Sequence, residues 1–506
     1  MNHPTHENRF KGFVRAADAT LVDGDGAPLL LRGVGLGNWL LPEGYMWLFP
    51  DELSSPRQIE ARVTALVGED KANEFWKEFR NGFIAEPDIR AIAEAGFDHV
   101  RLPINSRMVM NDDGSLIEAG FVLIDQLIRW CEKYNLWVLL DLHGAPGGQT
   151  GTNIDDSPNN LPELFMEQRF RDQTIELWKA IAARYKDETV VLGYDLLNEP
   201  LPNEWQHKYL EELKRLYIDL TAAIRSIDSN HLLMYEGAHW ATNWSLFTEV
   251  WDPNSALQFH RYWCAPDRSS IAEYLDTRDR LNVPIYMGEG GENNPEWIYT
   301  ATRLYEQHGI GWNFWPWKKI RTATSPVSIR EPLGWQRIAE LETILGPAEA
   351  WQILKQFLVN MRIENCDWRE PVINALFARP PLTIPAWGFN FDAATKPESQ
   401  GEAVTYFRAG DGQQITAVPA IAGEEPWHQT DGREYRSDER LHVLAEPGQP
   451  LHYALEDPQG YSIHVLDSSE KTVQAKHDWA DGSVKITTLE KAAIQSIVIR
   501  KADPVR

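Results

Sequence analysis

Along this chain, apolar β-prone residues gather into eight short runs, most of them separated by longer stretches of helical spacing. The runs occupy residues 29–37, 97–103, 137–144, 191–199, 231–237, 256–262, 284–290 and 310–317. Helical spacing fills about 56–95, 120–133, 162–185 and 204–226, and a final helical region lies around 336–361. Alternation of this kind predicts a parallel sheet, and eight repeats predict a closed (β/α)8 TIM barrel. The run Val191-Leu-Gly-Tyr-Asp-Leu-Leu-Asn-Glu-Pro200 is the most informative. It is almost continuously apolar, as in a strand buried on both faces. Pro200 cannot extend a ladder, so Asn198 and Glu199 are expected at the strand's carboxyl end, where barrel active sites lie. By the same reading, the second strand delivers Arg101 to its end. The third ends on Asp141 and His143, before a Gly-rich loop at 145–151.

The pattern changes after the barrel. Arg379-Pro-Pro-Leu-Thr-Ile-Pro385 reads as an extended connector. Beyond it, short alternating runs at 440–444, 449–455, 461–466 and 493–499, with Asp-Gly turn signals at 411–412, 431–432 and 481–482, predict an antiparallel β-sandwich. The expected division is a barrel over 1–365, a connector over 366–390 and a sandwich over 391–506.

Composition narrows the partners. A chain of 506 residues with 43% hydrophobic and 24% charged content is an ordinary globular protein, long enough for two cores. Its net charge of -25 argues against nucleic acid and anionic membranes and suits a neutral or cationic ligand. Three scattered cysteines give neither a disulfide framework nor a zinc site, so no metal or cofactor is expected and the thiols should be reduced and inert. The first nine residues hold no apolar h-region, and no run reaches the ~18 apolar residues of a spanning helix. The expectation is a cytoplasmic protein, or a secreted one whose leader has been removed. Nothing in the sequence sets the oligomeric state.

Six of the eight strand ends carry groups that one sugar site could use: Arg101, His143, Asn198 with Glu199, Glu236, His260 with Tyr262, and Glu289. Glu199 and Glu289 end the fourth and seventh strands. Retaining glycosidases need two carboxylates about 5–5.5 Å apart, and strand ends of a small barrel can supply that spacing. Glu199, against an apolar wall, suits a general acid with a raised pKa, while Arg101 would keep Glu289 ionised. Bland alternatives stand beside each assignment. Arg101 could be a barrel salt bridge, His143 and His260 satisfied core histidines, and Glu236 or Glu292 the true carboxylates. Asp155-Asp156 reads as a solvated loop rather than a cation site. Of the 21 Trp, the indoles of Trp39, Trp47, Trp240, Trp263 and Trp317 are candidate sugar platforms, about half of them expected to be packing.

These motifs together resemble glycoside hydrolase family 5. The likeness rests on His99-Val-Arg-Leu-Pro103, Asp141-Leu-His143, Leu197-Asn-Glu-Pro200, Phe259-His-Arg-Tyr262, Met287-Gly-Glu289 and Trp312-Asn-Phe-Trp315, spanning about residues 29–320. The resemblance implies Glu199 as acid/base and Glu289 as nucleophile. It also implies Asn198 on the sugar 2-hydroxyl, Arg101 and Tyr262 beside Glu289, His143 and His260 around the central subsite, and Trp315 as its floor. Leu142-His-Gly-Ala-Pro-Gly147 and Gly35-Leu-Gly-Asn-Trp-Leu resemble the exo-β-1,3-glucanase branch, in which Glu43 would match an acidic residue near the non-reducing sugar. Two departures stand out: Gly290-Gly-Glu-Asn follows the nucleophile in place of the branch's Trp-Ser, and a sandwich is appended. Residues 431–439 and 451–455 faintly resemble carbohydrate-binding jelly rolls.

The expected function is therefore a retaining glycoside hydrolase working by double displacement, exo-acting on β-linked glucosides or gluco-oligosaccharides. The loops at 144–160 and 39–49 and the pair His239-Trp240 would wall the cleft into a pocket. A furanosidase or transglycosylase using the same two glutamates, or a barrel that binds carbohydrate without turnover, are the alternatives.

Overall fold

All eight apolar runs pair in the computed structural model, which describes residues 9–340, 345–391, 407–408, 411–418 and 440–502. The strands are β1 Arg32–Gly35, β2 His99–Asn105, β3 Trp137–Gly144, β4 Val191–Asp195, β5 Leu232–Glu236, β6 Ser255–Arg261, β7 Ile285–Gly291 and β8 Gly311–Trp315. They form a closed barrel, with β8 pairing back onto β1 in parallel register, Asn313 opposite Gly33. A hairpin of Arg15–Ala17 and Thr20–Val22 precedes it. Leu21 of the hairpin joins Val14, Leu31, Trp137, Leu139, Leu192, Leu232, Met234, Ala256 and Tyr286 in one buried apolar cluster at the amino-terminal end of the strands.

The helices form for local reasons the sequence carries. Pro56–Val67 starts at Ser55, whose hydroxyl accepts from the Gln58 N–H while the Gln58 side chain returns to the Ser55 N–H, and Pro56 fills the first position. Leu210–Arg225 buries Leu213, Leu216, Tyr217, Leu220 and Ile224, the i, i+3, i+4 stripe that an amphipathic helix lays on a sheet.

Two strand ends differ from expectation. Ladder pairing of β4 stops at Asp195, so Asn198 and Glu199 lie in the following loop rather than on the strand. The Leu196 and Asn198 amides still reach the Met234 and Leu142 carbonyls, and the chain turns at Glu199 itself, whose φ is 45°. Arg101 is the third of seven residues in β2, inside the barrel wall instead of at its rim.

Contacts divide the chain into two units. One comprises residues 1–260, 274–290 and 311–368; the other takes 261–273, 291–310 and 369–506. The second unit thus includes helix Pro295–Gln307, which the linear division assigned to the barrel. That helix packs on helix Glu370–Phe377, with the Arg303 guanidinium donating to the Leu376 carbonyl at 2.6 Å. The proline run, expected as a connector, is partly a strand: Leu382–Pro385 pairs antiparallel with Ser496–Lys501, which pairs with Tyr461–Leu466. Two further antiparallel sheets join Gln414–Val418, Arg440–Ala445 and Ala492–Ile494, and Pro450–Ala454, Ser483–Thr488 and Ala475–Ala480. The run read as one strand at 493–499 is split at Gln495, its two parts serving different sheets. Residues 431–439 lie outside the described residues. Cys131, Cys264 and Cys366 are free thiols, and burial pushes each thiol pKa up, to about 11 for the last two. Thiols so shifted are poor nucleophiles, as expected. Among the described residues no helix is long and apolar enough to cross a membrane.

Candidate active site

The chemistry gathers around Arg101. Its side chain is fully buried, and its N–H groups are divided among four elements of the barrel. Nε donates to Asp195 Oδ2 at 2.8 Å, Nη1 to Glu289 Oε2 at 2.7 Å, and Nη2 to Asn198 Oδ1 at 2.8 Å and Glu236 Oε1 at 3.0 Å. Asp141 Oδ2 stands 3.2 Å from the same Nη2. Burial alone would lower the arginine's pKa, but Asp141, Asp195, Glu289 and Glu236 outweigh it and hold the cation well above its ordinary value. Such a cage stands only if its members stay together, since removing one partner of a buried pair costs about 3–5 kcal/mol.

Glu199, His260 and Glu289 come together beside this cage, with ligand-type atoms all within 4.8 Å of one another. The two carboxylates are therefore within the separation of a retaining pair. Both glutamates and His260 are nearly buried, at 5%, 3% and 2% exposure. His260 Nδ1 is 2.8 Å from Glu199 Oε1, and its Nε2 is 3.4 Å from Glu236 Oε1, an ion-pair distance. Burial pulls the imidazole pKa down, yet the charges of Glu236 and Glu289 and the contacts to Glu199 and Glu236 raise it well above the ordinary value. The three groups would also suit a divalent cation by type, but Nδ1 is turned onto Glu199 directly rather than toward a shared centre.

His143 has the opposite character. Burial drives its pKa down to about 4, so it is neutral. Its Nδ1 lies 2.8 Å from Asp141 Oδ2, and its Nε2 is 3.3 Å from the Asn198 amide nitrogen, which can only donate. That fixes the proton on Nδ1. The ring stacks on Trp315 at 5.5 Å and 9°, and the Trp315 indole N–H donates to the Tyr45 hydroxyl at 2.9 Å. Gly35 makes this possible: a Cβ there would sit 2.4 Å from the Trp315 ring.

Loops lock the rim. Gln149, fully buried, donates to the backbone carbonyls of His143 and Asn198 and accepts from the Ala145 N–H, clamping the loop after β3 to the site. Asp155 accepts from the Thr150, Gly151 and Ser157 N–H groups, and Asp156 pairs with Arg107 at 2.5 Å and with Arg57. Both aspartates are buried, which corrects the reading of this segment as a solvated loop. The loops after β4 and β5 are laced together by Asn203 N–H to His239 Nδ1 and His239 N–H to the Leu201 carbonyl. Here His239, Trp240 and Ala241 take consecutive left-handed φ values of 53°, 58° and 62°, a conformation that bulky residues adopt only where surroundings impose it.

Of the residues the sequence singled out, Arg101, His143, Asn198, Glu199, Glu236, His260, Glu289 and Trp315 converge in one unit. Glu236 is not where a sugar contact belongs. It is fully buried, with Oε1 accepting from Arg101 and from Gln258 at 2.6 Å, and Oε2 from the Glu199 backbone N–H at 2.7 Å. Glu43 is nearly buried at the start of the turn Gly44–Trp47, with its N–H on Asn38 Oδ1. Trp240 is half-buried. Tyr262 falls in the second unit, half-buried, its ring 5.7 Å from Trp263. Trp39, Trp47 and Trp317 are packing groups, their indole N–H groups bound to the Arg80 carbonyl, Asn38 and Asp88; Trp263 is 53% exposed.

Sequence reasoning missed Asp195, Gln258 and Gln149. Gln258 was visible as one amide inside the apolar run 256–259, and Gly288 was its counterpart. A Cβ on Gly288 would lie 1.7 Å from the Gln258 Oε1. Gln149, in a Gly-rich loop, carried no such signal.

Comparison with known proteins bears on this geometry. The profile of the family Cellulase (glycosyl hydrolase family 5) matches residues 64–320. A β-xylosidase of Phanerodontia chrysosporium is 31% identical over 347 residues, covering 61% of this chain and 71% of that protein. A probable glucan 1,3-beta-glucosidase A of Emericella nidulans is 32% identical over 302 residues, covering 56% and 71%. Endoglucanase C of Acetivibrio thermocellus is 36% identical over 200 residues, covering 37% of this chain and 53% of that protein, so the chain spans about half of its length. Among solved structures, an endogalactoceramidase shares the fold at TM-score 0.50 and 17% identity, over 97% of this chain and 100% of that one.

Proposed function

The chain belongs to glycoside hydrolase family 5, a family of retaining glycosidases, and from that premise we propose that it is an exo-acting β-glycosidase with Glu289 as nucleophile and Glu199 as acid/base. The observation that carries the assignment is the pair itself, two carboxylates at the barrel mouth with oxygens within 4.8 Å. Arg101 grips Glu289 Oε2 and orients that carboxylate for attack on the anomeric carbon. The glycosidic oxygen leaves with a proton from Glu199, and a glycosyl ester forms on Glu289. In the second half, Glu199 takes a proton from water as the water cleaves the ester, and the configuration is retained. Neutral His143 and the Trp315 face line the central subsite, and Asn198 sits beside the sugar 2-hydroxyl. Glu43 and Trp240 are proposed sugar contacts at its edges. The surplus of carboxyls over cations around Arg101 favours an oxocarbenium-like transition state.

Exo action is supported by the braced loops after β3, β4 and β5, which suit a pocket closed at one side. Two relatives also carry exo-type names, a β-xylosidase and a glucan 1,3-beta-glucosidase. The proposed substrates are β-linked glucosides or gluco-oligosaccharides. The first relative makes β-xylosides the second class to try. Labelling with a 2-fluoro sugar followed by peptide mass spectrometry should find the adduct on Glu289. An adduct on Glu236 or Glu292 would overturn the assignment. Binding of sugar without hydrolysis of any aryl pyranoside or furanoside would overturn the enzyme reading.

A further inference from the structure

Glu236 meets Glu199 directly at the main chain and reaches its carboxyl only by way of His260. Its Oε2 accepts from the Glu199 backbone N–H at 2.7 Å, and its Oε1 is 3.4 Å from His260, whose other nitrogen is 2.8 Å from Glu199 Oε1. Glu199 needs such a hold, because its φ of 45° is a left-handed conformation that a non-glycine residue keeps only where its surroundings impose it. A backbone so strained relaxes unless its surroundings fix it. The N–H bond to a buried carboxylate is one direct restraint, and charge-assisted bonds of this kind are roughly twice as strong as neutral ones.

We infer that Glu236 is a positioning residue for Glu199: it fixes the strained main chain of the acid/base and orients, through His260, the carboxyl that delivers the proton. The inference rests on the assignment of Glu199 as acid/base. The partners of Glu236 are the N–H groups of Glu199, Arg101 and Gln258, all obligate donors. Its hydrogen bonds therefore fit the anion, although burial, the largest influence, pushes its pKa up against His260 and Arg101. An anionic Glu236 favours a proton on His260. With His260 donating from Nδ1 to Glu199 Oε1, the transferable proton of Glu199 rides on Oε2. One carboxylate thus sets both the backbone angle and the proton-bearing oxygen of another.

The bland reading is that Glu236 only neutralises Arg101. The two readings differ in their dependence on the leaving group. A residue that works through the acid/base should matter where protonation matters and little where the leaving group departs unaided. Glu236→Gln is nearly isosteric, yet its NH2 must face one of the three N–H donors. The test measures kcat/KM of Glu236→Gln, Glu199→Ala and the double variant on phenyl, 4-nitrophenyl and 2,4-dinitrophenyl β-glycosides of the sugar the enzyme accepts. The expected loss for Glu236→Gln is at least ~30-fold on the phenyl glycoside and under ~3-fold on the dinitrophenyl one, with KM little changed. In the Glu199→Ala background the same change should cost under ~3-fold, because the group it positions is gone. Glu236→Asp, which keeps the charge but falls short by a methylene, carries the same test if the glutamine variant does not fold. A loss equal across the three leaving groups, or full additivity with Glu199→Ala, overturns the positioning role. If Glu199→Ala itself shows no leaving-group dependence, the acid/base assignment fails, and the inference fails with it.

Discussion

The two ends of the barrel interior are built on the same strands and are equally buried, yet one end is oil and the other is charge. On β3, Trp137 and Leu139 point inward at the amino end, and Asp141 and His143 follow on the same face. On β5 the series runs Leu232, Met234, Glu236, and on β6 it runs Ala256, Gln258, His260. Side chains alternate with a period of two, so each series is one line of inward positions. The lower residues merge into a single apolar cluster. The upper ones close on Arg101. The lower end stabilises by removing area from water, at roughly 25 cal/mol per Å². The upper end spends stability on desolvated charge, which is tolerable because every ion has a partner. The contrast teaches that burial is not a sign of role in this fold; depth along the strand is.

Substitutions at the two ends should therefore separate activity from stability. The largest effect is expected from Glu289→Gln at the upper end: loss of about 10⁴-fold or more in kcat. Folding should persist by circular dichroism, since an amide can still accept from Arg101. A variant that retained more than about a hundredth of the activity would break the comparison at its most exposed point.

Glu199→Ala should cost about 10²–10⁴-fold on poor leaving groups and far less on dinitrophenyl glycosides. Added azide should restore turnover of the activated substrates and yield a glycosyl azide of retained configuration. Proton NMR of the product reads the outcome, and an inverted azide would exclude double displacement.

At the lower end Leu139→Ala should do the reverse. Emptying a fully buried leucine site costs about 2–5 kcal/mol of unfolding free energy in denaturant titration. At a temperature where the variant is folded, kcat/KM should stay within a few-fold. A large loss of activity in folded protein would show that the two ends are mechanically one.

The smallest effect concerns charge at the lower end, where Asp228 accepts from the Tyr194 hydroxyl and contacts His231 Nδ1 at 2.6 Å. Burial opposes its ionisation, but the bonds to His231 and Tyr194 prevail and its pKa falls from 3.8 to about 2. A depressed carboxylate stabilises the fold above its unfolded pKa and loses that contribution as pH falls through the folded one. About 1–2 kcal/mol of stability, after discounting for solvent screening, should therefore disappear between about pH 4 and pH 2. Asp228→Asn should flatten that stretch of a stability-versus-pH curve. An unchanged slope would mean that this pair contributes nothing to acid sensitivity.

The eight strands, their order and the two catalytic candidates were legible in the sequence because each depends on neighbours in the chain. Apolar periodicity sets which segments are strands, glycine and proline set where they can end, and strand order places Glu199 and Glu289 at one mouth. What was not legible depends on contacts between distant segments. Arg101 sits inside the wall because carboxylates from β3, β4, β5 and β7 meet it there, and no local pattern announces that meeting. Glu199 turns left-handed one residue before its proline because Glu236, 37 positions away, holds its N–H. Helix Pro295–Gln307 joins the second unit through partners such as Leu376 and Ala454, which no reading of residues 295–307 could name. The sequence by itself determined which residues could do the chemistry. The tertiary structure decided which carboxyls are wrapped by donors and which come together at one end of the strands, because burial and the donors each oxygen meets are set across the barrel and not along the chain.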